Sequence, residues 1–114
     1  ADIRKKHAAH AVTADLSLAE IAKGTVFCGA DALIVTGLAT GCPAELDDVR
    51  AAREAVPNTP ILVGSGVDPD QCAALAPLCD GLIVGTWIKH DGDWRNPVDP
   101  ARVARLREAL RRCT

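Results

Sequence analysis

The chain has 114 residues, 48% hydrophobic and 25% charged, which excludes a disordered or fibrous polymer and suits one small globular domain. Thirteen basic residues against fifteen acidic ones leave a formal charge of −2, so no bulk electrostatic pull toward nucleic acid or anionic membrane is expected. One Phe, two Trp and no Tyr leave almost no platforms for base stacking, and no apolar run approaches the ~18–20 residues of a membrane span.

Along the chain, residues 3–7 read as a short, charged strand. Ser17 and Glu20 have the S-x-x-E spacing of a capping box and open a helix. Residues 31–36 form a compact apolar run that ends at Gly37, a buried strand. Pro43 suits the first turn of the next helix, whose stripe is Leu46, Val49, Ala52 and Val56 and which stops near Pro57. The pattern repeats with a strand at 61–63 closed by Gly64, Ser65 and Gly66. Asp68 then reads as an N-cap, Pro69 as the first helical residue and Gln71 as its capping-box partner. A fourth strand at 82–84 ends at Gly85 and Thr86, and a polar loop runs from 89 to 97. Asp99 and Pro100 open the last helix, with Val103, Leu106 and Leu110 on one face and Arg111 and Arg112 complementing its dipole.

This order is β-α-β-α-β-α-β-α. Three strands are nearly continuous apolar runs, as in parallel strands covered on both faces, and right-handed crossovers follow. Such a chain is a small open parallel sheet or half of an eight-fold barrel, since a whole barrel takes ~250 residues. A half on its own leaves two strand edges and one sheet face unpaired.

Parallel α/β architectures place ligands at the carboxyl ends of their strands. There the sequence sets Lys6 and His7, Thr36 and Gly37, Gly64, Ser65 and Gly66, then Gly85 and Thr86. Glycines let backbone approach a ligand, and the helix start at Asp68 and Pro69 would turn N–H groups toward it, making a cradle for phosphate. Gly64→Val is expected to block that approach. Strand alternation separates Lys6 from His7. Lys6 on the inner face could neutralise a phosphate or a developing oxyanion, or form a Schiff base, whereas His7 reads as a buried, hydrogen-bonded imidazole. His7, His10 and His90 make no metal signature, and no nucleotide-cofactor motif is present.

Cys28, Cys42, Cys72, Cys79 and Cys113 are odd in number and form no C-x-x-C pair. They are expected to be mostly small buried hydrophobes in a reducing, cytoplasmic setting. Cys42, before Pro43, lacks an identifiable base. Asp91, Asp93 and Asp99 flank a loop with Trp87 and Trp94, where Trp94 is expected to pack the loop.

The series Asp2-Ile3 with Lys6-His7, Ile34-Val35-Thr36-Gly37 with Thr40-Gly41, Val63-Gly64-Ser65-Gly66-Val67, Asp80-Gly81-Leu82-Ile83-Val84-Gly85-Thr86, Lys89 with Asp91-Gly92, and Asn96-Pro97-Val98-Asp99 resembles the BtpA/SgcQ family in order and spacing. The resemblance covers essentially all of the chain. It implies a TIM barrel of the ribulose-phosphate-binding type, of which residues 1–114 match the C-terminal half, strands five to eight, as a fragment or truncated chain. It also implies roles by position. Lys6 falls in the family's Lys-His motif, and Thr36, Gly37, Thr40 and Gly41 in its T-G-x-x-T-G segment. Gly64, Ser65, Gly66, Gly85 and Thr86 fall where such barrels hold phosphate, and Lys89 in the terminal Lys-x-Asp-Gly stretch. Lys5 and His10 depart from the pattern, where an apolar residue and a proline are expected. One branch of the family is associated with photosystem I biogenesis at thylakoid membranes and another with sugar-related gene contexts; neither supplies a settled reaction.

The expected function is binding of a phosphorylated small molecule, a sugar phosphate or nucleotide-like ligand, at the strand rim, with Lys6 near the reacting carbon. The rival is a non-catalytic assembly or biogenesis factor that keeps the barrel without the chemistry. Self-association or pairing with an N-terminal half is expected, and peripheral membrane association follows from the resemblance alone.

Overall fold

The first helix begins at a reciprocal cap. In a computed structural model, which describes residues 1–3, 16–37 and 44–113, the Ser17 N–H donates to Glu20 Oε2 at 2.8 Å and the Glu20 N–H donates to Ser17 Oγ at 3.2 Å. Two donors that a helix start leaves without partners are thereby satisfied. Helix α1 runs over Leu18–Phe27. The remaining elements are strands β1 (Asp2–Ile3), β2 (Leu33–Val35), β3 (Ile61–Gly64) and β4 (Gly81–Ile83), and helices α2 (Leu46–Ala55), α3 (Cys72–Leu75) and α4 (Pro100–Cys113). A 3₁₀ turn at His90–Gly92 interrupts the last loop.

The four strands form one parallel sheet in the order β1-β2-β3-β4. Ile3 pairs with Val35, Val35 with Val63, and Val63 with Leu82. Sequential order matters here, because same-handed crossovers then put every helix on one face of the sheet. Burial follows that rule. Leu33, Val35, Ile61 and Val63 are buried, with Leu18 and Ala22 of α1 and Val49 and Ala52 of α2. Their neighbours along the strands, Ile34 and Leu62, are only half-buried, and Ile83 is 47% exposed. Coverage on both faces is therefore not what the described residues show: the apolar runs carry one packed face and one open one. A parallel α/β sheet of this kind is consistent with half of a (βα)₈ barrel, whose inner face is closed by the other strands.

Several boundaries differ from the sequence expectation: β2 covers only Leu33–Val35, β3 runs on to Gly64 and β4 ends at Ile83. Strand β4 starts one residue earlier, at Gly81. The expected helix from Pro69 is a turn followed by the single-turn α3: Asp68 Oδ1 does accept from the Asp70 N–H at 2.9 Å and the Gln71 N–H at 3.1 Å, the bonds of an N-cap, but regular helix begins only at Cys72. Gln71 makes no side-chain capping bond.

Other expectations also change. Of the described cysteines only Cys72 is buried; Cys79 and Cys113 are half-buried and Cys28 is exposed. The α1 carboxyl end that carries Cys28 faces solvent, with Phe27 exposed beside it. Trp94 does not pack its loop: it is 66% exposed. Arg95 ties that loop instead, donating from Nε and Nη2 to the two oxygens of Asp93 at 3.0 and 2.7 Å. In α4, Leu106 is buried, whereas Val103 and Leu110 border an apolar groove of about 520 Å³ alongside Leu82 and Val84. Among the described residues no helix is long and apolar enough to cross a membrane.

Candidate ligand site at the carboxyl end of the sheet

Parallel strands deliver their following loops to one end. After β3, Ser65 (φ 70°) and Gly66 (φ 63°) both adopt the left-handed conformation. For Ser65 this costs about 1–2 kcal/mol, and strain of this kind concentrates at functional loops. After β4, Gly85 and Thr86 lead into a turn in which the Lys89 N–H donates to the Thr86 carbonyl at 3.1 Å. The 3₁₀ turn adds Asp91 (φ 57°) and Gly92 (φ 66°). His90 Nδ1 lies 3.5 Å from Asp99 Oδ2, which ties this turn to the start of α4.

These loops enclose a hollow of about 220 Å³ walled by Gly66, Val67 and Asp68 from one side and by Gly85, Thr86, Trp87 and Gly92 from the other. A Cβ built on Gly85 would meet nothing within 4 Å, so this wall is open backbone. The acidic residue Asp68 lines the opposite wall. The Asp70 and Gln71 amides, which the sequence assigns to an anion, are spent on Asp68 instead, and the one-turn α3 contributes little dipole. The helix-start part of the expected cradle is thus not there.

The cationic group beside the hollow is Arg102, in the first turn of α4. Its Nε donates to the Trp87 carbonyl, and its guanidinium carbon stands 4.5 Å from the centre of the Trp87 ring. Its Nη2 would lie 3.3 Å from a Cβ on Gly92. Arg105 approaches the same ring at 5.5 Å. Sequence reasoning missed Arg102: an arginine at the start of a helix is ordinary, and only its stacking on Trp87 brings it to the rim.

The structure therefore brings Gly66, Gly85 and Thr86 together. Gly64 faces elsewhere. A Cβ there would touch Ile83 Cβ at 3.5 Å and Thr36 Cγ2 at 3.6 Å, on the open face of the sheet. Ser65 lies between Gly64 and the hollow's edge at Gly66. Thr36 Oγ1 donates to Asp2 Oδ1 at 3.5 Å, linking β1 to the end of β2, and Gly37 is buried beyond it. Lys89 is half-buried, bridged through its backbone to Val98. Gly37, Gly64, Ser65 and Lys89 thus share this end of the sheet without walling the hollow. Lys6, His7, Thr40 and Gly41 lie outside the described residues, as do Lys5, His10, Cys42 and Pro43. Among the described residues no group of three or more His, Cys, Asp or Glu side chains is placed to hold a metal ion.

Comparison with known proteins gives one family. The BtpA family model matches residues 1–112. The chain is 40% identical to an uncharacterised mitochondrial protein of Caenorhabditis elegans, over 92% of this chain and 37% of that protein. It is 41% identical to an uncharacterised protein of Thermococcus kodakarensis, over 95% and 40%. It is 37% identical to the photosystem I biogenesis protein BtpA of Synechocystis, over 96% and 38%. The chain thus spans about two-fifths of the length of these relatives. No solved structure matches it. With the family model covering nearly every residue, the chain belongs to the BtpA family.

Proposed function

We propose that the chain binds a phosphorylated small molecule, a sugar phosphate or a nucleotide-like ligand, in the hollow at the carboxyl end of the sheet. The observation that carries this is the meeting of two separate strand-end loops. Gly66 after β3 and Gly85 and Thr86 after β4 wall one space, with a strained Ser65 beside it, which supports a backbone cradle for an anion. Gly64 and Ser65 set the loop's course, and Thr36, Gly37, Thr40, Gly41, His7 and Lys89 surround the remainder of the ligand. Lys6 is the group proposed for chemistry on that ligand, with the reaction itself unassigned. Titration calorimetry with inorganic phosphate and ribose 5-phosphate tests this. Saturable binding of the sugar phosphate is the expected result, and heats no larger than dilution for both would end it.

A second proposal is a non-catalytic assembly or biogenesis role, favoured by the 37% identity to a protein named for photosystem I biogenesis. A binding-competent hollow with no turnover of any sugar phosphate would favour it.

We also propose that the chain acts as the C-terminal half of a barrel, paired with an N-terminal half or a second copy. The half-buried Ile34 and Leu62 and the exposed Ile83 on the open face support this. The free Cys28, Cys72, Cys79 and Cys113 thiols support a reducing, cytoplasmic setting.

A further inference from the structure

Arg102 is half-buried, yet among the described residues it joins no ion pair. Three aspartates of the neighbouring segments are engaged elsewhere, and Asp91, beside Gly92, is exposed. Asp93 is paired with Arg95. Asp99 faces His90 through Oδ2 and accepts the Ala101 N–H at Oδ1. Asp68 accepts two backbone amides. The Nε of Arg102 is fixed on the Trp87 carbonyl and its guanidinium carbon stands over the Trp87 ring. Its two Nη groups have no acceptor among the described residues. Arg102 does not itself wall the hollow, but it packs on two residues that do, Trp87 and Gly92: a Cβ on Gly92 would crowd Nη2 at 3.3 Å, so the glycine lets the guanidinium come this close.

We infer that Arg102 supplies the cationic arm of this site and makes it selective for a terminal phosphoryl group over a phosphodiester; the inference rests on the phosphate-binding reading above. Charge balance is the first reason. The acidic Asp68 lines one wall, so backbone alone on the other would leave an anion beside net negative charge, and a cation at the rim offsets it. Geometry is the second. An arginine held at Nε presents its remaining donors as a fork, which matches two oxygens of one phosphoryl group. A monoester offers three such oxygens, two for the fork and one for the backbone wall, whereas a diester offers only the two that the fork takes and carries a substituent on each side. Trp87 and Arg102 then work as one piece: the ring holds the guanidinium flat, and the guanidinium holds the loop that carries Gly85 and Thr86.

The test titrates the chain with inorganic phosphate, methyl phosphate and dimethyl phosphate. The expected result is binding of the first two and none of the third. Arg102→Gln is expected to weaken methyl phosphate binding about tenfold or more, and Arg102→Lys to recover part of it. Equal affinity of the wild type and Arg102→Gln, or equal affinity for methyl and dimethyl phosphate, overturns the role of Arg102 and leaves the hollow as a phosphate site. No binding by the wild type overturns both. Because Arg102→Gln also releases the Trp87 loop, phenylglyoxal labelling of the unaltered chain gives a second measure. Saturating methyl phosphate is expected to slow modification of Arg102 several-fold while the exposed Arg107 reacts at its former rate. Unchanged labelling of Arg102 with methyl phosphate bound overturns the inference.

Discussion

Arg53 of α2 reaches across to Asp80 at the foot of β4, with Nη2 2.5 Å from Oδ2. The same Asp80 oxygen accepts the Ile61 N–H at 2.8 Å, so one carboxylate joins the amino ends of two strands to a helix. Arg53 also donates to the carbonyls of Leu78 and Thr59 at 3.2 Å and of Pro57 at 3.4 Å. This junction lies at the end of the sheet opposite the hollow. Arg53→Met keeps the aliphatic stem and removes these donors. It is expected to lower unfolding stability by about 2 kcal/mol, read from the urea midpoint. A change under about 0.5 kcal/mol, the scale of an ordinary surface substitution, would show the junction to be ornamental.

Acid sensitivity follows from the same group. The Ile61 amide and then the Arg53 guanidinium hold the Asp80 carboxyl below its ordinary range. Glu20 is lowered by its Ser17 bonds and Asp93 by Arg95. A carboxylate depressed in the folded state contributes stability above its unfolded pKa, about 4, and loses it as pH falls through the lower folded value. The melting temperature is therefore expected to fall as pH drops from 5 to 3, with a shallower fall in Asp80→Asn. Parallel pH profiles for the two proteins would remove Asp80 from the explanation.

Ser17→Ala tests the helix cap. It deletes the oxygen that accepts the Glu20 amide and is expected to cost about 1 kcal/mol. Glu20→Gln should cost less, because an amide oxygen can still accept the Ser17 N–H. Thermal unfolding of both variants orders them, and the reverse order would show that the carboxylate rather than the hydroxyl makes the cap.

The legible parts of this fold are those governed by local chemistry. The Ser17 and Glu20 spacing, the apolar runs at Leu33 and Ile61, and the glycines after β3 and β4 each state their structure within a few residues. The one-turn α3 was not legible: Asp68 makes the capping bonds its sequence position suggests, yet regular helix runs only over Cys72–Leu75. The open sheet face was legible only through the half-barrel reading, because the apolar runs themselves suggest coverage on both sides. Ile34 and Leu62 are as apolar as Leu33 and Ile61, and only the sequential strand order, which sends all helices to one side, leaves them half-covered. In the candidate site, Gly66, Gly85 and Thr86 were readable from their register at strand ends. Gly64 stands apart from the hollow because strand alternation turns its missing Cβ toward Ile83 and Thr36. Arg102 was invisible because its meaning comes from Trp87, fifteen residues away.

That difference between the glycines gives a paired test. Gly85→Val adds a side chain where nothing lies within 4 Å, at a φ that L-residues accept. It is expected to abolish phosphate binding with little change in the urea midpoint. Gly64→Val places its branches against Ile83 and Thr36, and is expected to cost about 1–3 kcal/mol by overpacking before any effect on the ligand. Retained affinity in a folded Gly85→Val would mean that the anion does not rest on this wall.

The open face makes the last prediction. Ile83 is 47% exposed, so about half of its surface stays in water after folding, and Ile83→Ser should lower the unfolding free energy of the isolated chain by only about 1 kcal/mol, less than the loss of a fully buried Ile. Pairing with a second copy would bury that same side chain, and each apolar carbon removed would then be lost from the interface rather than from the core. Static light scattering is expected to show self-association of the wild type and a shift toward monomer in Ile83→Ser at equal concentration. A wild type that stays monomeric while keeping its cooperative melt would mean that one covered face suffices, and that Leu33, Val35, Ile61 and Val63 carry the fold without a partner for Ile34, Leu62 and Ile83.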